Sequence, residues 1–204
     1  MLNAEFFNAD PRKVARSLLG KLLIRKTACG ILAGRVVETE AYLGAGDAAA
    51  HAVAGRTARN FVLFGPPGYA YVYLIYGNHY CLNVSCLPDG VPGGVLFRAL
   101  EPVAGIEAMA RARGIEVGSG GDLKPDEMKK ISSGPGRMSE AFGVTRDRDN
   151  GKSLVSAKSD LQLVDDGYRV RRVMVTPRIG ITKSAEQALR YFIAGNRFVS
   201  GRGQ

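Results

Sequence analysis

Two glutamates two residues apart, Glu38 and Glu40, carry the densest acid–base capacity in the chain, and Tyr42 follows at the same spacing. Side chains at alternate positions of a strand leave the same face. If the strand persists that far, the run presents two carboxylates and a phenol in a row. Two carboxylates on one face can divide acid and base roles between them; the alternative is an acidic strand end turned to water. His51 sits in a run of small residues, AAAHAVA at 48–54, where a flat ligand could approach the backbone closely. A lone histidine is also a common structural residue. Arg98 lies inside the apolar run Val95, Leu96, Phe97, Ala99 and Leu100. A buried guanidinium needs an anion, and Glu38 and Glu40 are the candidate partners. The alternative is an edge-strand arginine reaching out to water.

Between His51 and Arg98 lies YAYVYLIYGNHYCLNVSC at 69–86. Alternation makes it a strand, a turn at Gly77-Asn78 with the look of a two-residue hairpin, and a return strand. Tyr69, Tyr71 and Tyr73 then share one face, which a half-buried sheet would also require. Tyr76 falls on the other parity, at the shoulder of the turn, with little core to enter. An exposed aromatic there suits insertion between stacked bases. Asn83 in the return strand must find amide partners and could read the edge of a bound base. Arg56, Arg59 and Asn60 form a loop that could bind phosphate or simply be solvated.

The rest of the chain bounds what such a site can be. Its 204 residues fit one domain, and 46% hydrophobic content supplies a core. The net charge of +9 is uneven: residues from Arg111 onward hold 18 Lys and Arg against 11 Asp and Glu, the first 110 only 10 against 8. A basic half beside a sparsely charged site suits a pocket carried on a surface that grips a nucleic-acid backbone; plain solubility is the alternative. Cys29, Cys81 and Cys86 show no paired spacing, and with His51 and His79 they make no zinc pattern. With no signal peptide and no apolar run of transmembrane length, the expectation is a soluble, reducing compartment.

The positioning elements read as follows. Asp10 caps a helix that starts at Pro11 and stops at Gly20, and Phe6 and Phe7 plug the core. Residues 22–25 and 34–39 are strands, the second leaving into a loop after Glu40. The strand holding Arg98 ends at Pro102, and an amphipathic helix follows with Ile106, Met109 and Ala110 inward. Gly114 to Asp122 is an exposed loop. Two short helices flank SSGPGR at 132–137, and TRDRDNG at 145–151 is a charged turn. LQLVDDGYRVRRVMVTPRIGIT pairs with itself about Asp165-Asp166-Gly167, and SAEQALRYFIAGNRFVS is a terminal helix stopped at Gly195-Asn196.

Taken together, VVETEAYLG, AAAH, RTARN, YVYLIYG, CLNVS, VLFRALEP, SGPGRM and LRYFIAGN resemble the alkyladenine (3-methyladenine or methylpurine) DNA glycosylase family, nearly end to end from residue 5 to 200. The resemblance implies an α+β fold in one domain over 1–204, with a curved antiparallel sheet, surrounding helices and a protruding hairpin that enters DNA. It implies hydrolysis of the N-glycosidic bond of a damaged purine flipped from duplex DNA, by a water activated by Glu40 and positioned by Arg98 and the carbonyl of Ile181. Tyr42 and Tyr73 would sandwich the base with His51 on the remaining side. Backbone near Ala50 and His51 would meet the purine edge, Asn83 would crowd a guanine amino group, and Tyr76 would fill the gap in the helix. No metal or organic cofactor, no membrane and a monomer are expected, in the bacterial cytoplasm or, in a eukaryote, the nucleus. Asn78 departs from the mammalian members, which carry a hydrophobic residue just past the wedge turn. The rivals are a non-catalytic nucleic-acid module of the same fold and an abasic-site lyase.

Overall fold

The computed structural model describes residues 1–118 and 122–201. The centre of the Gly114–Asp122 loop, 119–121, lies outside the described residues. Eight antiparallel strands form one sheet: β1 (Leu22–Thr27), β2 (Gly30–Tyr42), β3 (Ala70–Ile75), β4 (His79–Ser85), β5 (Gly94–Ala104), β6 (Leu161–Val164), β7 (Val173–Thr176) and β8 (Arg190–Ile193). The order is β3-β4-β5-β2-β1-β6, with β8 on β2 and β7 on β8. Helices α1 (Ala4–Phe7), α2 (Pro11–Leu18), α3 (Ile106–Ala112), α4 (Pro125–Ser132), α5 (Pro135–Ala141) and α6 (Arg146–Asp149) complete an α+β architecture.

The spine is β2, 13 residues long and paired with β5 along most of its length. Its other edge is shared in sequence. Residues 30–35 pair with β1, and Glu38 to Glu40 pair with β8. The handover falls on two irregularities. Val36 faces Leu100, Glu38 faces Ala99 and Thr39 faces Phe97, so Val37 and Arg98 are each an extra residue on their strand. Such bulges re-aim side chains. Here they bring Arg98 onto the face that carries Glu38 and Glu40.

Local chemistry explains the elements that were foreseen. Asp10 accepts from the Arg12 amide and Pro11 opens α2, which buries Val14, Ala15 and Leu18. Phe7 is buried and meets Phe6 edge-on at 4.9 Å.

Several expectations are corrected. Glu40 is not at an exposed strand exit: both glutamates are wholly buried, because β2 continues to Tyr42 between β5 and β8. Pro102 does not end β5, which runs on to Ala104; its ring lies at the bulge facing Gly34, where an irregular ladder tolerates a missing donor. TRDRDNG contains the short helix α6, capped by Thr145. The stretch about Asp165 does not fold on itself, since β6 pairs with β1 and β7 with β8. RYFI is strand β8, not helix: all four residues are buried at the edge of β2, and tertiary pairing overrides a weak helical pattern.

Candidate active site

The first wall of the site is the hairpin of β3 and β4. Ile75 faces His79, so the loop is Tyr76-Gly77-Asn78, with the turn centred on Tyr76-Gly77. Both have positive φ, 54° and 76°, the pattern of a type I′ turn, and Asn78 N–H donates to the Ile75 carbonyl at 3.4 Å. The expected Gly77-Asn78 centre is thus one residue late. Tyr76 sits in the turn itself, 83% exposed, in a backbone region that a tyrosine enters only when its surroundings impose it. Just below the turn the hairpin rests on α5, where Gly136 lies so near His79 that a Cβ would stand 3.0 Å from the imidazole.

A cavity of about 250 Å³ opens beside this hairpin, lined by Tyr42, His51, Tyr71, Tyr73, Asn83 and Ile181 together with the small residues Gly44, Ala49 and Ala50. Small residues are needed here. At Gly44, φ is +84°, and a Cβ would stand 2.0 Å from the Pro92 carbonyl oxygen. The aromatic wall is tightly set. His51 meets Tyr73 edge-on at 4.5 Å, Tyr71 lies 5.5 Å from Tyr73, and His51 Nδ1 hydrogen-bonds the Tyr71 hydroxyl at 2.8 Å. Burial, reinforced by the Arg59 charge, holds the His51 pKa below its ordinary value. Asn83 donates to the Tyr71 carbonyl at 3.1 Å, which fixes its amide in the cavity wall.

The carboxylates lie beneath, not in, the cavity lining. Glu40 Oε1 is 3.2 Å from Arg98 Nη1 and accepts the Ile179 amide at 2.8 Å. Its Oε2 accepts the Tyr42 hydroxyl at 3.0 Å. Tyr42 therefore joins cavity to carboxylate: its ring lines the one and its hydroxyl touches the other. Burial first, then the neighbouring Glu40 charge, drives the Tyr42 pKa far up, so the phenol keeps its proton and donates. Burial would lower the Arg98 pKa, but Glu40 and Glu38 outweigh it and the guanidinium stays charged.

Two residues that the sequence did not single out fasten these walls. Asp47 accepts both terminal nitrogens of Arg178, at 2.5 and 2.8 Å, and the amides of Leu43 and Ala49. Arg178 also donates to the Ala41 carbonyl and stacks on Tyr42 at 4.6 Å. Since Arg178 is fully buried and does not line the cavity, it backs the ring from outside. The pair ties the loop after β2 to the segment holding Ile179 and Ile181.

Other expectations shift. Asn60 is a loop staple: it is buried, and its amide donates to the His51 and Gly55 carbonyls. Arg59 lines the cavity, 5.7 Å over the Tyr73 ring. The Ala50 amide and carbonyl are both engaged, with Asp47 and Val53. The basic excess of the C-terminal half is partly internal, because Arg178 and Arg190 are buried against Asp47 and Glu38 of the other half. Among the described residues no His/Cys/Asp/Glu group could hold a metal, and no helix is long and apolar enough to cross a membrane.

Comparison with known proteins places the chain. A sequence profile described as Methylpurine-DNA glycosylase (MPG) matches residues 5–197. A protein of Koribacter versatilis, named "Putative 3-methyladenine DNA glycosylase", is 66% identical over 197 residues, covering 97% of this chain and 91% of the relative. Proteins of the same name from Methanocella arvoryzae and Methanoculleus marisnigri are 45% and 42% identical, covering 93% and 98% of this chain and 89% and 99% of theirs. With that coverage behind a buried carboxylate under an aromatic cavity, the chain belongs to the methylpurine-DNA glycosylase family.

Proposed function

We propose that the protein flips an alkylated or deaminated purine (3-methyladenine, 7-methylguanine, hypoxanthine or ethenoadenine) out of duplex DNA and hydrolyses its N-glycosidic bond. The observation that supports this most directly is the cavity faced by Tyr42, Tyr73 and His51, with Glu40 one hydroxyl behind it. Electron-rich tyrosine faces favour a cationic purine, and Asn83, in the cavity wall, would crowd a guanine amino group. Tyr76, exposed at the hairpin tip, fills the space the purine leaves.

In the reaction, water attacks the sugar carbon, Glu40 takes its proton, and the electrons of the glycosidic bond leave with the base. The sugar develops oxocarbenium character, which the carboxylate also stabilises. Arg98 and the Ile179 amide hold Oε1, so Oε2 is the atom left to receive the proton. The Tyr42 hydroxyl must share or yield that oxygen when water arrives. Ile181 lines the cavity, and its carbonyl would be a second contact for that water. No amine nucleophile is required, so strand cleavage is not part of the reaction.

The test is a panel of duplexes, each with one modified base, scored for free-base release by the wild type and by Glu40→Gln. Release by the wild type, loss in the variant and retained binding to abasic-site-analogue DNA are expected. Undiminished release by Glu40→Gln would overturn the mechanism. Borohydride trapping on abasic DNA would move the reading to a lyase.

A further inference from the structure

Glu38 neither lines the cavity nor has a part in the chemistry above, yet it is completely buried in a closed set of charges. Its Oε1 accepts from Arg98 Nε at 3.1 Å, Arg190 Nε at 2.6 Å and Ser200 Oγ at 3.0 Å; its Oε2 accepts the Ser200 amide at 2.6 Å. Arg190 is held in turn by the Ser200 carbonyl at 2.8 Å and by Thr176 Oγ1 at 3.2 Å. Arg98 reaches Ser200 Oγ with Nη2 at 3.3 Å and Glu40 with Nη1 at 3.2 Å. Residues from β2, β5 and β8 and the C-terminal segment meet here, and two carboxylates face two guanidiniums.

We propose that Glu38, with Arg190 and Ser200, is a positioning unit that keeps Arg98 divided between two carboxylates and off Glu40 Oε2, which Tyr42 then shares with the incoming water. This rests on Glu40 being the base. The physical reason is the shape of a guanidinium. Left with one carboxylate, its planar fork takes both oxygens at once, the preferred and strongest pairing. A bidentate Arg98–Glu40 pair would occupy Oε2 and remove the proton acceptor. Glu38 on Nε and Ser200 on Nη2 take the Nε–Nη2 edge, so the side-on bidentate pairing is closed to Glu40, which meets Arg98 through Nη1 at Oε1. Arg190 and the Ser200 amide fix Glu38 in turn, so it cannot follow Arg98 if Arg98 moves. The bulge at Arg98 belongs to the same device, because it sets the side chain between the two acids.

The test uses single-turnover release of 7-methylguanine and of hypoxanthine from duplexes, beside binding to duplex with a tetrahydrofuran abasic analogue. Glu38→Gln should slow release by on the order of 100-fold, and Ser200→Ala by about threefold to tenfold, with analogue binding changed less than about twofold. Because the unit acts through Arg98, Glu38→Gln or Ser200→Ala added to Arg98→Gln should cost less than about a further twofold. Unchanged release in both single variants would overturn the proposal. So would equal slowing with and without Arg98, or a loss of analogue binding that matches the loss of rate, since each marks a merely structural role. If Glu38→Gln does not fold, Ser200→Ala alone and on Arg98→Gln decides the matter. Full release by Glu40→Gln would instead remove the base assignment on which the unit rests.

Discussion

The floor of the cavity and the tip of the hairpin are built on opposite terms. In the floor, Glu38, Glu40, Arg98 and Arg190 are all buried and each charge has its counter-charge and hydrogen bonds. At the tip, Tyr76 is 83% exposed, holds φ of +54°, and adjoins Gly77, where an added Cβ would meet nothing within 4 Å. A proton transfer needs distances fixed to fractions of an ångström, and only a closed, low-mobility network supplies that. Entry into a duplex needs an aromatic held out in water with its space still empty, which a packed core forbids. One region holds its geometry by saturation and the other holds its readiness by remaining unsatisfied.

If that contrast is right, the two regions must fail differently. The largest effect is expected from Glu40→Gln, which keeps the shape of the floor and removes the proposed proton acceptor. Base release should fall by at least about 1,000-fold, the scale for losing a central catalytic group. Binding to abasic-analogue DNA should change little, and the thermal midpoint should fall less than in Asp47→Asn, because Arg98 keeps Glu38 as its counter-charge. A variant that lost both together would show that the floor is structural and erase the distinction.

Next comes Asp47→Asn, which strips the counter-charge from buried Arg178 without changing volume. Breaking one partner of a buried pair costs about 3–5 kcal/mol, and the thermal midpoint should fall by on the order of 10 °C. The pH dependence follows from the Asp47 pKa. Burial raises it, but Arg178 and the Leu43 and Ala49 amides outweigh burial and the net shift is downward. A lowered folded pKa contributes stability above the ordinary value of 3.8 that is lost as pH falls through the folded value. Wild type should therefore show a steeper loss of midpoint than Asp47→Asn in acid.

These two regions were also unequally legible. The hairpin announced itself through alternation and a glycine-containing turn, because strand and turn signals are local. The pairing of Arg98 with a glutamate followed from one rule, that a buried cation needs an anion. Residues 190–193 were misread and Arg178 was not singled out, for one reason. Arg190 in RYFI and Arg178 in TPRIG are ordinary basic residues until β8 docks on β2 and the preceding segment folds over Tyr42. Their partners, Glu38 and Asp47, lie 152 and 131 residues away in the chain. No periodicity carries such information, and the same pairing made the C-terminal charge excess look more external than it is. The bulges at Val37 and Arg98 were equally invisible, since they exist only in the register between two strands.

A smaller effect is expected at the tip. Tyr76→Ala removes a side chain that stabilises nothing in the folded chain, so the thermal midpoint should stay within about 1 °C. Release from duplex should slow by about tenfold, the scale of one lost stacking contact. Release from a single strand, where there is no gap to fill, should be untouched. Equal slowing on both substrates would make Tyr76 part of the cavity and not of DNA engagement.

The smallest effect separates cationic from neutral purines. His51 lies against Tyr73 and, with its pKa lowered, is neutral at pH 7. As pH falls below the ordinary histidine value of 6.5, the unfolded chain binds the proton first, so the fold loses some stability through this group. Once the folded protein is protonated as well, an imidazolium faces the cavity proposed to hold the base. A cationic 7-methylguanine is then repelled and a neutral hypoxanthine is not. Like charges at a partly exposed site repel by about 1 kcal/mol, or roughly fivefold in rate. The ratio of 7-methylguanine to hypoxanthine release should therefore drop by about that factor on acidification and stay flat in His51→Gln. The comparison within one protein cancels losses of stability and of Glu40 ionisation, which act on both lesions alike. A ratio that fell equally in His51→Gln would place the titrating group elsewhere; Arg59 over the Tyr73 ring stays charged at either pH and cannot supply the change.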